Sequence, residues 1–390
     1  MKILFLTFYF EPDLSAGSFR NTSLFKVLKE LISDNDSIEV ITTSPNRYGS
    51  YKIKAKDYES HSANIQINRI DIPKHNNGIL GQIKTFKVFY FKALKLSEKK
   101  DYDIVYASSS RLFTAVLGAR IANRKKAKLY LDIRDIFRET ILDVYKNKLI
   151  QVGLNLVLTP IENYTFKSAN HINLVSKGFK SYFKKYKTQF SYYTNGIDGI
   201  FLNKKEKSNL EKSTEKKTIL YAGNIGEGQG LHIIIPSLAK ALENKYQFKI
   251  IGDGGAKEKL CSELKKQNLS NVKLTPPIER LQLLNEYGRA DFLFMHLNRH
   301  NAFKRVLPSK LFEYGAFNKP IIAGVSGYAS IFLKENMTNC LVFEPGNVTK
   351  AKELLEAYKY KIEDREEFKV KFSRQKINEE MAESIVKIVK

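Results

Sequence analysis

Short apolar runs alternate with segments of helical periodicity along the chain, and their order predicts a parallel α/β architecture. Lys2 to Phe8 is an apolar run suited to a buried strand, and a polar loop follows from Tyr9 to Arg20. Beyond it, apolar residues at 24, 27, 28 and 31 keep the three- and four-residue spacing of one helix face, and Ile38 to Thr42 is the next strand. Strand, loop, helix and strand in that order open a doubly wound domain, whose ligands bind at the carboxyl ends of the strands. Further strands are expected at 65–72, 101–108, 127–133, 218–222, 248–251, 272–275, 292–297 and 320–325. Asn76-Asn-Gly78 reads as a turn, and the polar stretch 203–217 as a linker. The expected domains are 1–200 and 201–370, with a charged helical tail at 371–390.

Composition adds three constraints. The 390 residues are 43% hydrophobic, enough for two ordinary domains with a sizeable core each. No apolar run reaches the roughly 18–20 residues that span a bilayer. The apolar start leads into a polar loop without a small-residue cleavage site, so it reads as a strand rather than a signal. Two cysteines, Cys261 and Cys340, make no disulfide framework and fit a reducing cytoplasm. The net charge of +24 is the largest signal. It points to an anionic partner: a membrane surface, a phosphorylated substrate or nucleic acid. Part of it could equally be a lysine-rich coding habit.

The chemistry concentrates in Arg305-Val-Leu-Pro-Ser-Lys-Leu-Phe-Glu-Tyr-Gly315 and the strand after it. Pro308 and Ser309 suit a helix start, with Ser309 as cap, and the helix is expected to run from Lys310 to Phe317. Its N-terminus favours an anion, and Arg305 and Lys310 add full charges there. Glu313 shares a face with Lys310 and could accept both hydroxyls of a ribose, although the two could also form a surface pair. A cationic phosphate seat beside an acidic sugar clamp suits a nucleotide sugar. Gly223-Asn-Ile-Gly-Glu-Gly-Gln-Gly230 is a glycine-rich turn between a strand and a helix, a type that exposes N–H groups to phosphate.

These stretches resemble the donor site of the family-4 retaining glycosyltransferases of the GT-B fold. The likeness is to the subgroup that builds bacterial O-antigen and capsule repeats, including N-acetyl-fucosaminyl transferases. It continues in Arg134-Asp-Ile-Phe-Arg-Glu-Thr140, similar to the relatives' Arg-Asp-Leu-Trp-Pro-Glu-Ser, and in Thr194-Asn-Gly-Ile-Asp198, similar to a turn that closes their first domain. The resemblance implies two Rossmann-like domains facing across a cleft, an acceptor-binding one first and a donor-binding one second. It also implies a C-terminal helix that crosses back to the first domain. It assigns donor contacts to Gly17, Asn224, Gly226, Arg305, Ser309, Lys310, Leu311 and Glu313, with Arg305 and Lys310 on the leaving diphosphate. Arg305 stands where many relatives carry the first Glu of a Glu-x7-Glu motif, and Asn224 and Gln229 stand where many carry Arg and Lys.

Arg20, Asp135 and Glu139 are the acceptor-side candidates, with Asp135 orienting or deprotonating the acceptor hydroxyl. A structural Arg134–Asp135 pair is the competing reading. Gly17 reads as a ligand-approach or a turn residue, and Arg20 as a phosphate contact. The implied activity is retaining transfer of an N-acetylated or 6-deoxy amino sugar from a UDP-sugar to an undecaprenyl-diphosphate-linked saccharide. No cofactor or metal is expected: Asp101 and Asp103 form a formal D-x-D that punctuates a strand start, and no His/Cys/Asp cluster has ligand spacing. His296 and His300 are either sugar contacts or structural. Basic and aromatic residues interleave at 84–100 and 177–190, which suits an anionic membrane surface, single-stranded nucleic acid or a solvated face over a core. The lipid-linked acceptor favours the membrane, and hence a cytoplasmic protein peripheral to the inner face of the cell membrane, with no nucleic-acid partner. A UDP-GlcNAc 2-epimerase on the same fold and a non-catalytic nucleic-acid-binding module remain as alternatives.

Overall fold

The computed structural model describes residues 1–46, 54–73, 79–109, 112–145, 147–202 and 216–389. The expected turn at Asn76–Gly78 and residues 203–215 of the expected linker lie outside them. The chain forms two compact units, Met1–Asn195 with Arg374–Lys390, and Gly196–Ser373.

The first unit holds strands β1 (Lys2–Leu6), β2 (Ser37–Thr43), β3 (Tyr58–Ser62), β4 (Ile65–Ile70), β5 (Ile104–Ser108), β6 (Lys128–Ile133), β7 (His171–Leu174) and β8 (Gln189–Ser191). They make one sheet in the order β3-β4-β2-β1-β5-β6-β7-β8. Every pairing is parallel except β3 with β4. The strand order reverses between β1 and β5, so the loops after these two strands flank the switch point. The helices of this unit include α1 (Ala16–Leu31), α2 (Ile79–Ser97), α3 (Leu112–Lys125), α4 (Phe137–Val144) and α5 (Lys148–Lys167). The C-terminal helix (Arg374–Lys387) packs on α1, burying Met381, Ala382 and Ile385 in the core beside Phe5, Leu24 and Leu28.

The second unit has a six-stranded parallel sheet, β11-β10-β9-β12-β13-β14. Its strands are β9 (Lys217–Asn224), β10 (Tyr246–Asp253), β11 (Val272–Thr275), β12 (Phe292–His296), β13 (Ile321–Gly324) and β14 (Cys340–Phe343). Here the order reverses between β9 and β12. The glycine-rich turn follows β9 and the Arg305–Lys310 stretch follows β12, so topology brings both to one switch point. Two expectations change. α1 begins at Ala16, capped by the Ser15 side chain on the Ser18 N–H at 3.1 Å, so Gly17 and Arg20 are helical rather than in a loop. The aromatic residues of 177–190 face inward: Phe179, Phe183 and Tyr186 are buried while the lysines are exposed. Tyr182 and Tyr186 donate hydrogen bonds to the buried carboxylate of Glu162. That segment is a solvated basic face over core, and its aromatic residues are not free to enter a membrane.

Candidate functional site

Of the predicted donor contacts, Gly17 lies in α1 of the first unit and the others lie in the loops and helix start at the β9/β12 switch point of the second. Lys310 opens a helix of only six residues, Lys310–Gly315, rather than one reaching Phe317. Its dipole is correspondingly small, and the Ser309 side chain makes no capping bond. The local positive charge therefore comes from side chains. The Lys310 ammonium lies over the Tyr221 ring at 4.6 Å and nearer still to Gly223, where any Cβ would collide with it. Among the described residues no carboxylate forms an ion pair with it. Burial lowers its pKa below the ordinary lysine value, opposed by the charge of Glu313. A partly buried ammonium held on aromatic faces, with no carboxylate paired to it among the described residues, is poised to bind an anion. Arg305 sits half-buried five residues earlier, in the turn leading to the same helix.

Glu313 accepts a hydrogen bond from Tyr287 Oη at 3.0 Å on one carboxylate oxygen. The buried Tyr287 thus fixes the carboxylate, leaving the other oxygen for a ligand. Leu311 is fully buried and its N–H bonds the Pro308 carbonyl at 3.1 Å, so it packs the helix and is not a donor contact. The glycine-rich turn supports itself: Gln229 Oε1 accepts from Asn224 Nδ2 at 2.9 Å and from the Gly226 N–H at 3.2 Å. Gly226 therefore has no N–H left for phosphate. The two amides bond each other where two cations would repel, which explains how the loop tolerates Asn224 and Gln229.

His296 is structural. It is buried, its Nδ1 lies 2.7 Å from the Gln229 carbonyl, and its Nε2 accepts the Gly346 N–H at 2.8 Å. These bonds require the Nδ1–H tautomer. Burial holds the ring pKa down at about 4, the Gln229 carbonyl opposing it, so the ring stays neutral and ties the turn after β9 to the loop after β14. His300 stands edge-on to Phe303.

On the first unit, the arginine expected to meet phosphate is the wrong one. Arg20 is fully buried and bidentate on Asp132, with Nε to Oδ2 and Nη2 to Oδ1 both at 2.9 Å. It also donates to the Tyr193 and Thr194 carbonyls and contacts Met381 Sδ at 3.3 Å. It ties α1 to β6, to the turn before Asn195 and to the C-terminal helix, and it cannot reach a ligand. Asp132 is equally committed, accepting from Asn173 at 2.8 Å and Tyr106 at 3.2 Å as well. Burial would raise its pKa, but the Arg20 charge and these bonds hold it below the usual carboxylate range.

Arg134 is the residue that sequence reasoning passed over. Its Nε and Nη1 are buried and make no hydrogen bond, and a Cβ on Gly17 would come within 2.7 Å of Nη1. Gly17 is thus glycine to admit this guanidinium against the first turn of α1. Desolvation lowers the Arg134 pKa even though Asp132 opposes it, the mark of a cation short of counter-charge. No ion pair joins Arg134 to Asp135. Asp135 follows β6 with its side chain reached by solvent yet enclosed by protein on most sides, which pushes its carboxyl up to about 6 against the pull of Arg134. Glu139 lies in the first turn of α4. Asp103 accepts the Lys2 N–H at 2.6 Å at the amino end of β5, away from the site loops. Among the described residues no group of three or more His, Cys, Asp or Glu is placed to hold a metal ion.

Comparison with known proteins agrees with this geometry. The family model of glycosyl transferases group 1 matches residues 203–376, which include the turn after β9, Arg305, Lys310 and Glu313. WcaI of Escherichia coli K12, assigned to colanic acid biosynthesis as a glycosyl transferase, is 23% identical over 340 residues, 80% of each chain. The structure of Anabaena Alr3699/HepE in complex with UDP and glucose matches at a TM-score of 0.66 with 18% identity, covering 99% of this chain and 100% of that one. A trehalose-6-phosphate protein of E. coli bound with UDP-2-fluoro glucose matches at 0.69 with 11% identity, covering 99% of each. The structural likeness extends over the whole chain and gives the two-domain GT-B fold, while the group 1 match over most of the second unit and the likeness to WcaI mark the chain as a glycosyltransferase.

Proposed function

We propose that the chain moves a sugar, an N-acetylated or 6-deoxy amino sugar, from a UDP-sugar to a lipid-linked saccharide with retention at the anomeric carbon, in bacterial surface polysaccharide biosynthesis. The observation that carries this reading is the Lys310 ammonium, unpaired with any carboxylate among the described residues and three residues from the fixed carboxylate of Glu313, within the family-matched unit. Lys310 and Arg305 face the diphosphate and stabilise the charge that develops as it leaves. Glu313 holds the ribose hydroxyls. The departing phosphate oxygen takes the acceptor proton, so the reading needs no metal. The relatives that bind UDP and UDP-sugars support the choice of uridine, and WcaI supports the polysaccharide setting. No helix among the described residues is long and apolar enough to cross a membrane, and the proposed location is peripheral, on the inner face of the cell membrane.

A thermal-shift panel of UDP, GDP, dTDP and CMP, run with chelator, tests the donor. UDP is expected to raise the melting temperature, and Glu313→Ala to abolish most of the shift. A Glu313→Ala protein stabilised by UDP as fully as wild type sinks the ribose assignment.

Asp135 and Arg134 are the acceptor-side pair in this reading. Asp135 must be ionised to accept a hydrogen bond from the acceptor hydroxyl, so transfer is expected to fall as pH drops through about 6, and Asp135→Asn to lose that limb. A raised carboxyl pKa means the folded state binds the extra proton, so it weakens the fold as pH rises above the ordinary aspartate value. Asp135→Asn is therefore expected to be slower yet no less stable at neutral pH. An unchanged acid limb in the variant assigns the ionisation elsewhere.

A further inference from the structure

We propose that the outer face of α5, with α2 and α3 beside it, enters the interface of an anionic bilayer. This deepens the lipid-acceptor reading, although its evidence is independent of the donor site. α5 carries large apolar side chains outward: Leu149 is 83% exposed, Leu156 72%, and Val152 and Val157 59% each. Ile150 and the exposed Gly153 and Pro160 continue the stripe. Side chains this large and this uncovered, repeated over three turns, need a partner. On α2, Ile83 and Phe91 are likewise more than half exposed, between lysines.

Charge selects the partner. α2, α3 and α5 together carry nine lysines and arginines and one carboxylate, Glu162, which is buried. α3 links the other two: Arg120 Nη1 bonds the Tyr90 hydroxyl of α2 at 3.3 Å, and Asn123 bonds the Tyr164 hydroxyl of α5 at 2.9 Å. With Arg124 these residues line one depression where the helices meet, a cationic seat for a phosphate headgroup. A second copy of the chain docked face to face would set like charges together with no exposed carboxylate on these helices to answer them. An anionic lipid surface answers them while taking up the apolar stripe, the pattern of a helix lying in the interface plane. The 20 residues of α5 would then lie along the membrane rather than across it.

Flotation of the full chain with vesicles tests this. Wild type is expected to bind phosphatidylglycerol-containing vesicles and to bind phosphatidylcholine vesicles far less. Leu149→Gln with Val152→Gln and Leu156→Gln, changes that keep helix propensity and touch no core, is expected to lower binding about tenfold or more. Its melting temperature and UDP shift are expected to stay those of wild type. Arg120→Glu with Arg124→Glu is expected to remove the preference for phosphatidylglycerol. Equal binding by the triple variant and wild type overturns the proposal. So does a concentration-dependent dimer, seen without lipid and lost in the triple variant, from a chain that binds no vesicle. Loss of the UDP response in a chain that still binds vesicles through α5 fails the donor reading and supports this one.

Discussion

Lys310→Ala is expected to slow sugar transfer about 100- to 1000-fold, the range for removing one preorganised group from developing charge. The melting temperature is expected to stay near wild type or to rise. Lys310 is partly desolvated, no carboxylate among the described residues pairs with its ammonium, and its cation–π contact with Tyr221 only partly offsets that cost. A large kinetic loss without loss of stability is the signature of a group placed for a ligand rather than for the fold. The pH dependence gives a second readout. The anion needs protonated lysine, and burial has lowered the Lys310 pKa, so UDP affinity is expected to decline on the alkaline side at a pH below the ordinary lysine range. That decline is expected to vanish in Lys310→Ala. Turnover close to wild type in the variant overturns the role assigned to this residue.

Arg20→Met is expected to destabilise the first unit by about 3–5 kcal/mol, because it strands a buried carboxylate rather than removing a surface pair. Asp132 would keep Asn173 and Tyr106 but lose both guanidinium bonds and its buried ion-pair partner. Denaturant unfolding followed by a probe in the first unit measures the loss. The folded-state pKa of Asp132 is depressed, so its contribution is complete above the ordinary aspartate pKa and is lost as pH falls through the lower folded value. The gap between variant and wild type is therefore expected to narrow in acid, once Asp132 is protonated in both. A uniform gap across that range would place the loss in packing against Met381 instead.

The amino-acid sequence by itself indicated most of the strands and their parallel order and singled out the stretch proposed to meet the donor, while β3, β7, β8 and β14 went unanticipated. Continuous apolar runs such as Lys2 to Leu6 and Ile321 to Gly324 leave a strand little choice but burial on both faces, and turn residues mark where each loop begins. Lys310 and Glu313 could be proposed from the sequence because both their spacing and their chemistry are local. Position within the loops was less legible: the cap at Ser15 moved the start of α1 past Gly17 and Arg20, and the helix at Lys310 closed after six residues. Only the tertiary structure decided between Arg20 and Arg134. Both are arginines in segments that follow a strand, but Arg20 meets Asp132 across 112 positions of sequence while Arg134 meets no acceptor at two of its nitrogens. His296 became structural through a backbone group 50 residues away. The aromatic residues of 177–190 turned inward onto Glu162 and the core, and α5 turned the apolar stripe outward. Periodicity reports which residues share a face, and a helix apolar on most sides leaves open which side is covered. Which neighbour covers a face is settled by contacts between distant segments, and no local pattern encodes those.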